Sequence, residues 1–275
     1  MIFIYIKNMA EQQQNRFAKI VWTVTEDNFF KDEIILEFHS FVRIISGEMR
    51  VVQADNSYTF GAGDTLLFPR NHLSAVIKRP KDGRPYKAVV LGLTTDRLKE
   101  FYTTNKIQNV HAIHYGTKKF NQHPLLDGFF ASLMSIFELE DELPENIASL
   151  KFQEAVSILR ALDKTVDGLL ADFSQPGKIN LVDFMEKHYM FNMPMEKFGY
   201  LTGRSLSTFH RDFKKVFYTS PQKWLTKKRL DLAYYQLTEK NRKPVDVYLE
   251  AGFENLSHFS FAFKKQFGYA PTSLI

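Results

Sequence analysis

LSTFHRDFKKVFYTSP at residues 206–221 and LSHFSFAFKKQFGYAP at 256–271 are one sixteen-residue phrase written twice, fifty positions apart. Eight positions are identical: Leu206/Leu256, Ser207/Ser257, Phe209/Phe259, Phe213/Phe263, Lys214/Lys264, Lys215/Lys265, Phe217/Phe267 and Pro221/Pro271. A repeat at fixed period marks one supersecondary unit used twice. The phenylalanines fall four apart in each copy, which places them on one helix face and marks that face as core. The opposite face carries Ser207, Thr208, His210, Arg211 and Lys214 in the first copy, and Ser257, His258, Ser260, Phe261 and Lys264 in the second. Such side chains suit base edges and phosphates.

A short helix and a turn precede each copy: 194–201 with Thr202-Gly203, and 245–251 with Gly252-Phe253. Helix, glycine-containing turn, helix is the helix-turn-helix arrangement. Between the copies, Pro221 opens a helix over 221–238 that is rich in Lys and Arg. At that length it spans about 26 Å, a strut suited to holding two reading helices about 34 Å, one DNA turn, apart.

The charge follows the repeat. Residues 178–275 carry 16 Lys and Arg against 9 Asp and Glu, whereas 1–177 carry 20 against 22. A basic domain attracts phosphate backbones; the plainer alternative is a solvated basic surface. The 275-residue chain has no cysteine, so it has neither disulfides nor thiolate metal sites, and this fits a reducing cytoplasm. No stretch approaches the roughly 20 apolar residues of a membrane helix. The leader MIFIYIKN is too short in its apolar part for secretion. It reads either as an edge strand or as sequence upstream of a true start at Met9.

The first third reads differently. From about Lys19 to Leu93, short β-branched and aromatic runs recur at 33–38, 41–46, 48–53, 57–60, 64–68, 73–78 and 86–93, separated by turn residues such as Gly61-Ala62-Gly63 and Pro80-Lys81-Asp82-Gly83. Many short strands predict a sandwich or small barrel. Beyond Thr95 the period becomes helical, over 95–106, 124–140 and 146–172, with Leu126, Phe129, Phe130, Leu133 and Phe137 on one face of the second. Ser174-Gln175-Pro176-Gly177 is the linker candidate.

The last hundred residues resemble the DNA-binding domain of the AraC/XylS family of bacterial transcription regulators. The text that carries this is Leu206-Ser207-x-Phe209-x-Arg211-x-Phe213-Lys214-Lys215 with Ser220-Pro221, then Arg229-Leu230-x-x-Ala233, Gly252-Phe253, Ser257-x-Phe259, Phe263-Lys264-Lys265-x-Phe267-Gly268 and Pro271. The resemblance implies two helix-turn-helix subdomains joined by a helix, with both reading helices in successive major grooves. It makes Ser207, Thr208, His210 and Arg211 the base-reading positions of the first subdomain. Ser257, Ser260 and Phe261 occupy those of the second, and Lys214, Lys215, His258, Lys264 and Lys265 complete the expected DNA-binding set. Three departures stand out. Phe261 replaces the family's usual arginine and would press on thymine methyls instead. Tyr248 is bulky where Gly199 is small, and Tyr218 replaces the usual glycine after the first reading helix.

The stretch from Phe41 to Val76 resembles the cupin-like barrel that precedes this domain in many family members, where it binds an effector or partner and the helices after it form a dimer. The expected fold class is therefore α+β. A cupin-like barrel or sandwich with following helices would occupy 1–173, a linker 174–179, and an all-α double helix-turn-helix domain 180–275. The expected function is regulation, usually activation, of transcription. Its partners would be promoter DNA, RNA polymerase, an unidentified small-molecule or protein effector, and a second copy of the chain, with no cofactor and no membrane. The competing reading is a cupin-type metal enzyme with a basic accessory domain. Its weakness is that Ser74 stands where a metal histidine would, His72 is two positions early and His39 is alone. A third reading is a module governed only by a partner protein. Gly61-Ala62-Gly63 has no helix after it, so it is not a phosphate cradle. The acidic run 138–142 reads as a solvated helix end, and His188 lacks a catalytic neighbour at a telling spacing.

Overall fold

The computed structural model describes residues 19–25, 30–52, 57–105, 116–135 and 144–274. The leader with Met1 and Met9, Phe137 and the acidic run 138–142 lie outside them. The chain divides into two compact units, Met1–Phe173 and Ser174–Ile275.

The first unit is built on two antiparallel sheets. One has the order β1 (Lys19–Thr25), β8 (Tyr86–Leu93), β3 (His39–Ser46), β6 (Thr65–Phe68), β9 (Lys118–Phe120). The other runs β2 (Phe30–Ile35), β7 (Leu73–Arg79), β4 (Glu48–Val52), β5 (Ser57–Gly61). Side chains alternate along a strand, and in the larger sheet both faces are buried. Val42, Ile44, Leu66, Phe68 and Ala88 join Met49, Val51, Phe60 and Val76 in one apolar cluster. Phe41, Leu67, Val89, Leu91 and Leu93 turn the other way, into a cluster with the helices. Burial on both faces explains why 41–46 and 86–93 read as nearly unbroken apolar runs.

Those helices are α1 (Thr95–Thr104), α2 (Pro124–Met134), α3 (Glu145–Leu162) and the short α4 (Asp167–Leu170). They contribute Leu98, Phe101, Leu126, Phe129, Phe130, Leu133, Phe152 and Leu159. Among the described residues no helix is long and apolar enough to cross a membrane.

Two boundaries and one strand of this unit differ from the sequence reading. The strand expected over 33–38 ends at Ile35, because residues 36–38 carry the chain from the smaller sheet to the larger. The helix expected over 146–172 stops at Leu162. Asp163 is extended, its side chain accepts from the Thr165 amide at 2.8 Å, and it is paired with Lys118 on β9. A short polar side chain that bonds the following backbone competes with helix continuation. Strand β9 has only three residues, too few to show a period. Gly47 turns β3 into β4 at φ +76, and a Cβ there would lie 2.6 Å from Tyr86 Cα, so backbone proximity and turn geometry both require glycine.

The second unit is entirely helical: α5 (Leu181–His188), α6 (Met195–Leu201), α7 (Leu206–Phe217), α8 (Pro221–Thr238), α9 (Pro244–Glu250) and α10 (Leu256–Phe267). Pro221 and Pro244 stand at first helical positions, where the missing N–H costs nothing.

Candidate nucleic-acid interface

The repeated text folds into the same object twice. Helix α7 starts at Ser205, whose hydroxyl accepts from the Thr208 amide at 3.3 Å; α10 starts at Asn255, whose side chain accepts from the His258 amide at 2.8 Å. Each side chain satisfies an otherwise orphaned first-turn donor. Both helices end on a left-handed residue whose N–H bonds back to a lysine carbonyl: Tyr218 at φ 55 to Lys214, and Gly268 at φ 89 to Lys264. The unusual tyrosine therefore leaves the backbone termination unchanged.

The phenylalanine faces are buried as the spacing requires. Phe209, Phe213, Phe259 and Phe263 are fully enclosed. Helix α8 offers one aromatic to each copy. Trp224 lies against Phe217 with ring centroids 4.8 Å apart, and Tyr234 against Phe267 at 4.9 Å. The two anchors are ten positions apart, about 15 Å along the helix. The joining helix thus holds both α7 and α10 through equivalent aromatic contacts.

The opposite faces are open. Ser207, His210, Arg211, Lys214 and Lys215 are exposed on α7, and Ser257, His258, Phe261, Lys264 and Lys265 on α10, while Thr208 and Ser260 are half-buried. The Ser205 hydroxyl also donates to Thr208 Oγ1 at 3.0 Å, so Thr208 belongs to the cap as well as the surface. Phe261 is 69% exposed, a large apolar ring presented to solvent in the middle of the polar face of α10.

The turns match less well than the fifty-residue offset implies. The Arg204 amide donates to Gly199, and the Phe253 amide to Tyr248, both at 2.9 Å, which makes Gly199 and Tyr248 structural equivalents. Two residues then separate Gly203 from Leu206, but three separate Gly252 from Leu256. A Cβ on Gly199 would meet the Arg204 carbonyl at 3.0 Å, so the shorter turn needs a small residue there.

Three charged residues carry structure that the sequence reading did not assign. Arg229 is buried in the middle of α8 and donates to the carbonyls of Tyr189 (2.8 Å) and Phe191 (2.7 Å) and to Asn192 Oδ1 (3.2 Å). Across from it, Asn192 donates to Glu254 in the second turn at 2.8 Å. Arg204, in the first turn, donates to Asp212 Oδ2 at 3.1 Å and to the Thr202 and Ile179 carbonyls. Asp212 is an acid on an otherwise basic helix, the one visible clue to this cluster. The hydrogen bond from Arg204, then Lys178 and Arg211, hold its carboxyl below the usual carboxylate range.

In the first unit, His39 is buried with Nδ1 accepting from the Arg70 amide at 3.1 Å. Burial, and then the Arg70 charge, push its pKa down to about 3. Its ring is therefore neutral, with one nitrogen already engaged by backbone. Among the described residues no three His, Asp or Glu side chains gather as a metal site would require.

Comparison with known proteins gives two family matches: a helix-turn-helix domain over residues 201–275, and the ExsA N-terminal regulatory domain over residues 39–165. The HTH-type transcriptional regulator ExsA of Pseudomonas aeruginosa is 27% identical over 235 residues, covering 83% of each chain. The virulence regulon transcriptional activator VirF of Yersinia enterocolitica is 28% identical over 155 residues, 56% of this chain and 57% of that one. Among solved structures, fatty-acid-bound wild-type ToxT from Vibrio cholerae is 13% identical, covers 95% of this chain and 96% of its own, and has a TM-score of 0.45.

Proposed function

Because this chain belongs to the AraC/XylS family of transcription regulators, we propose that it activates transcription by laying α7 and α10 into two successive major grooves of promoter DNA. The observation that carries this reading is the duplicated, solvent-facing polar surface mounted on one connecting helix. Arg211, exposed and long, is the bidentate reader of guanine in the first helix; Ser207, Thr208 and His210 flank it. Ser257, Ser260 and Phe261 face bases in the second, where Phe261 contacts thymine methyls. Lys214, Lys215, His258, Lys264 and Lys265 neutralise phosphates and release counterions.

The first unit regulates this activity through a small molecule or a protein. Among the described residues most side chains between its two sheets are apolar, with Thr23, Ser40 and Ser74 buried on the same faces, and Tyr86 donates to Met49 Sδ at 3.5 Å. A small molecule admitted between the sheets would therefore be largely apolar and would displace packed side chains. The working protein is a cytoplasmic homodimer that engages RNA polymerase. We assign it no catalytic step, and the family matches lend the cupin-enzyme alternative no support.

The test is selection of sheared bacterial genomic DNA by the full-length chain at several salt concentrations. Enriched fragments sharing two short motifs one helical turn apart, with affinity falling steeply as salt rises, are the expected result. A flat salt response or fragments without paired motifs would overturn the two-groove reading.

A further inference from the structure

The entry into the second unit is pinned to the first helix-turn-helix. Tyr200 donates its hydroxyl to Gln175 Oε1 at 2.9 Å. Gly177 crosses directly over Gly203, where an added Cβ would fall 2.4 Å from the Gly177 carbonyl carbon and oxygen. Arg204 donates to the Ile179 carbonyl at 3.1 Å. Lys178 reaches Asp212 Oδ2 at 3.3 Å. The stretch read in the sequence as a linker is thus docked on the turn and the reading helix.

Asp212 divides its two oxygens. Oδ2 receives Arg204 (3.1 Å) and Lys178 (3.3 Å); Oδ1 faces Arg211 Nε at 3.5 Å. The Arg204 side chain is 8% exposed and packed in place, whereas that of Arg211 is 63% exposed. A carboxylate held on one side by the packed Arg204, with the exposed Lys178 beside it, therefore presents its other oxygen to the exposed Arg211.

We propose that Asp212 is a positioning residue for Arg211, and that Lys178 and Arg204 set its orientation, so that the docked segment 175–179 tunes base discrimination by the first reading helix. This rests on the reading of Arg211 as a base contact. The physical reason is conformational. An exposed arginine must be ordered before it can fork onto a base, and ordering a rotamer-rich side chain costs affinity; a nearby fixed carboxylate removes part of that cost beforehand. The same carboxylate repels phosphate. Its loss therefore has two opposite effects, weaker discrimination and stronger indiscriminate binding. A purely structural role would not produce that pair.

The experiment binds a random-sequence duplex library to the full-length chain and to Asp212→Asn, Lys178→Gln and Arg211→Ala, and compares base preferences position by position. Asp212→Asn is expected to lower discrimination about threefold to tenfold at the base pair where Arg211→Ala abolishes it, while raising affinity for unenriched DNA. Lys178→Gln, at an exposed position, is expected to lower discrimination at the same base pair by a smaller factor. If Arg211→Ala changes no preference, the base-reading assignment fails. If it does but Asp212→Asn and Lys178→Gln leave that base pair unaffected, the positioning role is overturned. Should Asp212→Asn fail to fold, the Lys178→Gln result decides alone.

Discussion

Arg229 donates its Nε–H to the Tyr189 carbonyl at 2.8 Å, and this bond fastens the middle of α8 to the chain just beyond α5. The same guanidinium lies beneath the second turn, where a Cβ on Gly252 would stand 2.9 Å from Nε. One side chain therefore touches the supports of both helix-turn-helix pairs. Replacing Arg229 by Ala strands buried carbonyls without a donor. We expect a loss of about 3–5 kcal/mol, and a smaller loss for Lys, which lacks the planar fork. Chemical unfolding followed by Trp224 fluorescence, with Trp22 replaced by Phe, measures this. A variant Arg229→Ala as stable as the parent would contradict the clasp.

Arg211 and Phe261 face solvent at matching places in α7 and α10. Arg211→Ala is expected to cost about 1–3 kcal/mol of specific binding at one base pair. Phe261→Arg should turn a thymine preference in the second half-site towards guanine. Quantitative competition with single-base operator variants checks both, and an unchanged preference in either variant removes that residue from the reading set.

Tyr218 is 90% exposed at φ 55. A side chain in left-handed backbone costs about 1–2 kcal/mol, and glycine escapes that cost at the price of a more flexible unfolded chain. We expect Tyr218→Gly to stabilise the second unit by about 0.5–1 kcal/mol, whereas Tyr218→Ala brings no such gain. Thermal unfolding of the two variants side by side separates a backbone effect from the loss of an exposed ring.

His39 titrates at about 3 in the fold, because burial and then Arg70 disfavour its charged form, with Asp172 opposing. The unfolded chain takes up this proton near pH 6.5. Between those values the unfolded state holds more protons, so stability is full above about pH 6.5 and falls as pH drops towards 3, by up to about 1.4 kcal/mol per pH unit. His39→Gln should show a shallower loss over that window. Superimposable pH profiles of urea unfolding would rule His39 out as the responsible group.

Much of this was legible because it is local. The four-residue phenylalanine spacing and the proline at 221 each act within one or two turns of helix, so the sequence displays them directly. The strand texts 41–46 and 86–93 were equally plain, since both faces are buried. Illegible were the passage between sheets at 36–38, the three-residue β9 and the helix break at Asp163. The first two depend on partners far along the chain, and the third combines a local cap with a distant partner. Lys118 meets Asp163 from 45 residues away, and no period announces that.

The sequence by itself determined that there are two copies of one amphipathic helix, which face of each is core, and which residues the other face offers. Only the tertiary structure decided what the charges do. Arg211, Arg204 and Arg229 are the same letter in the same basic third of the chain, yet one is exposed, one orients a carboxylate and one is a buried clasp. A hydrophobic period is written in neighbours, but the role of a cation is set by which distant carbonyl or carboxylate the fold brings within hydrogen-bonding distance.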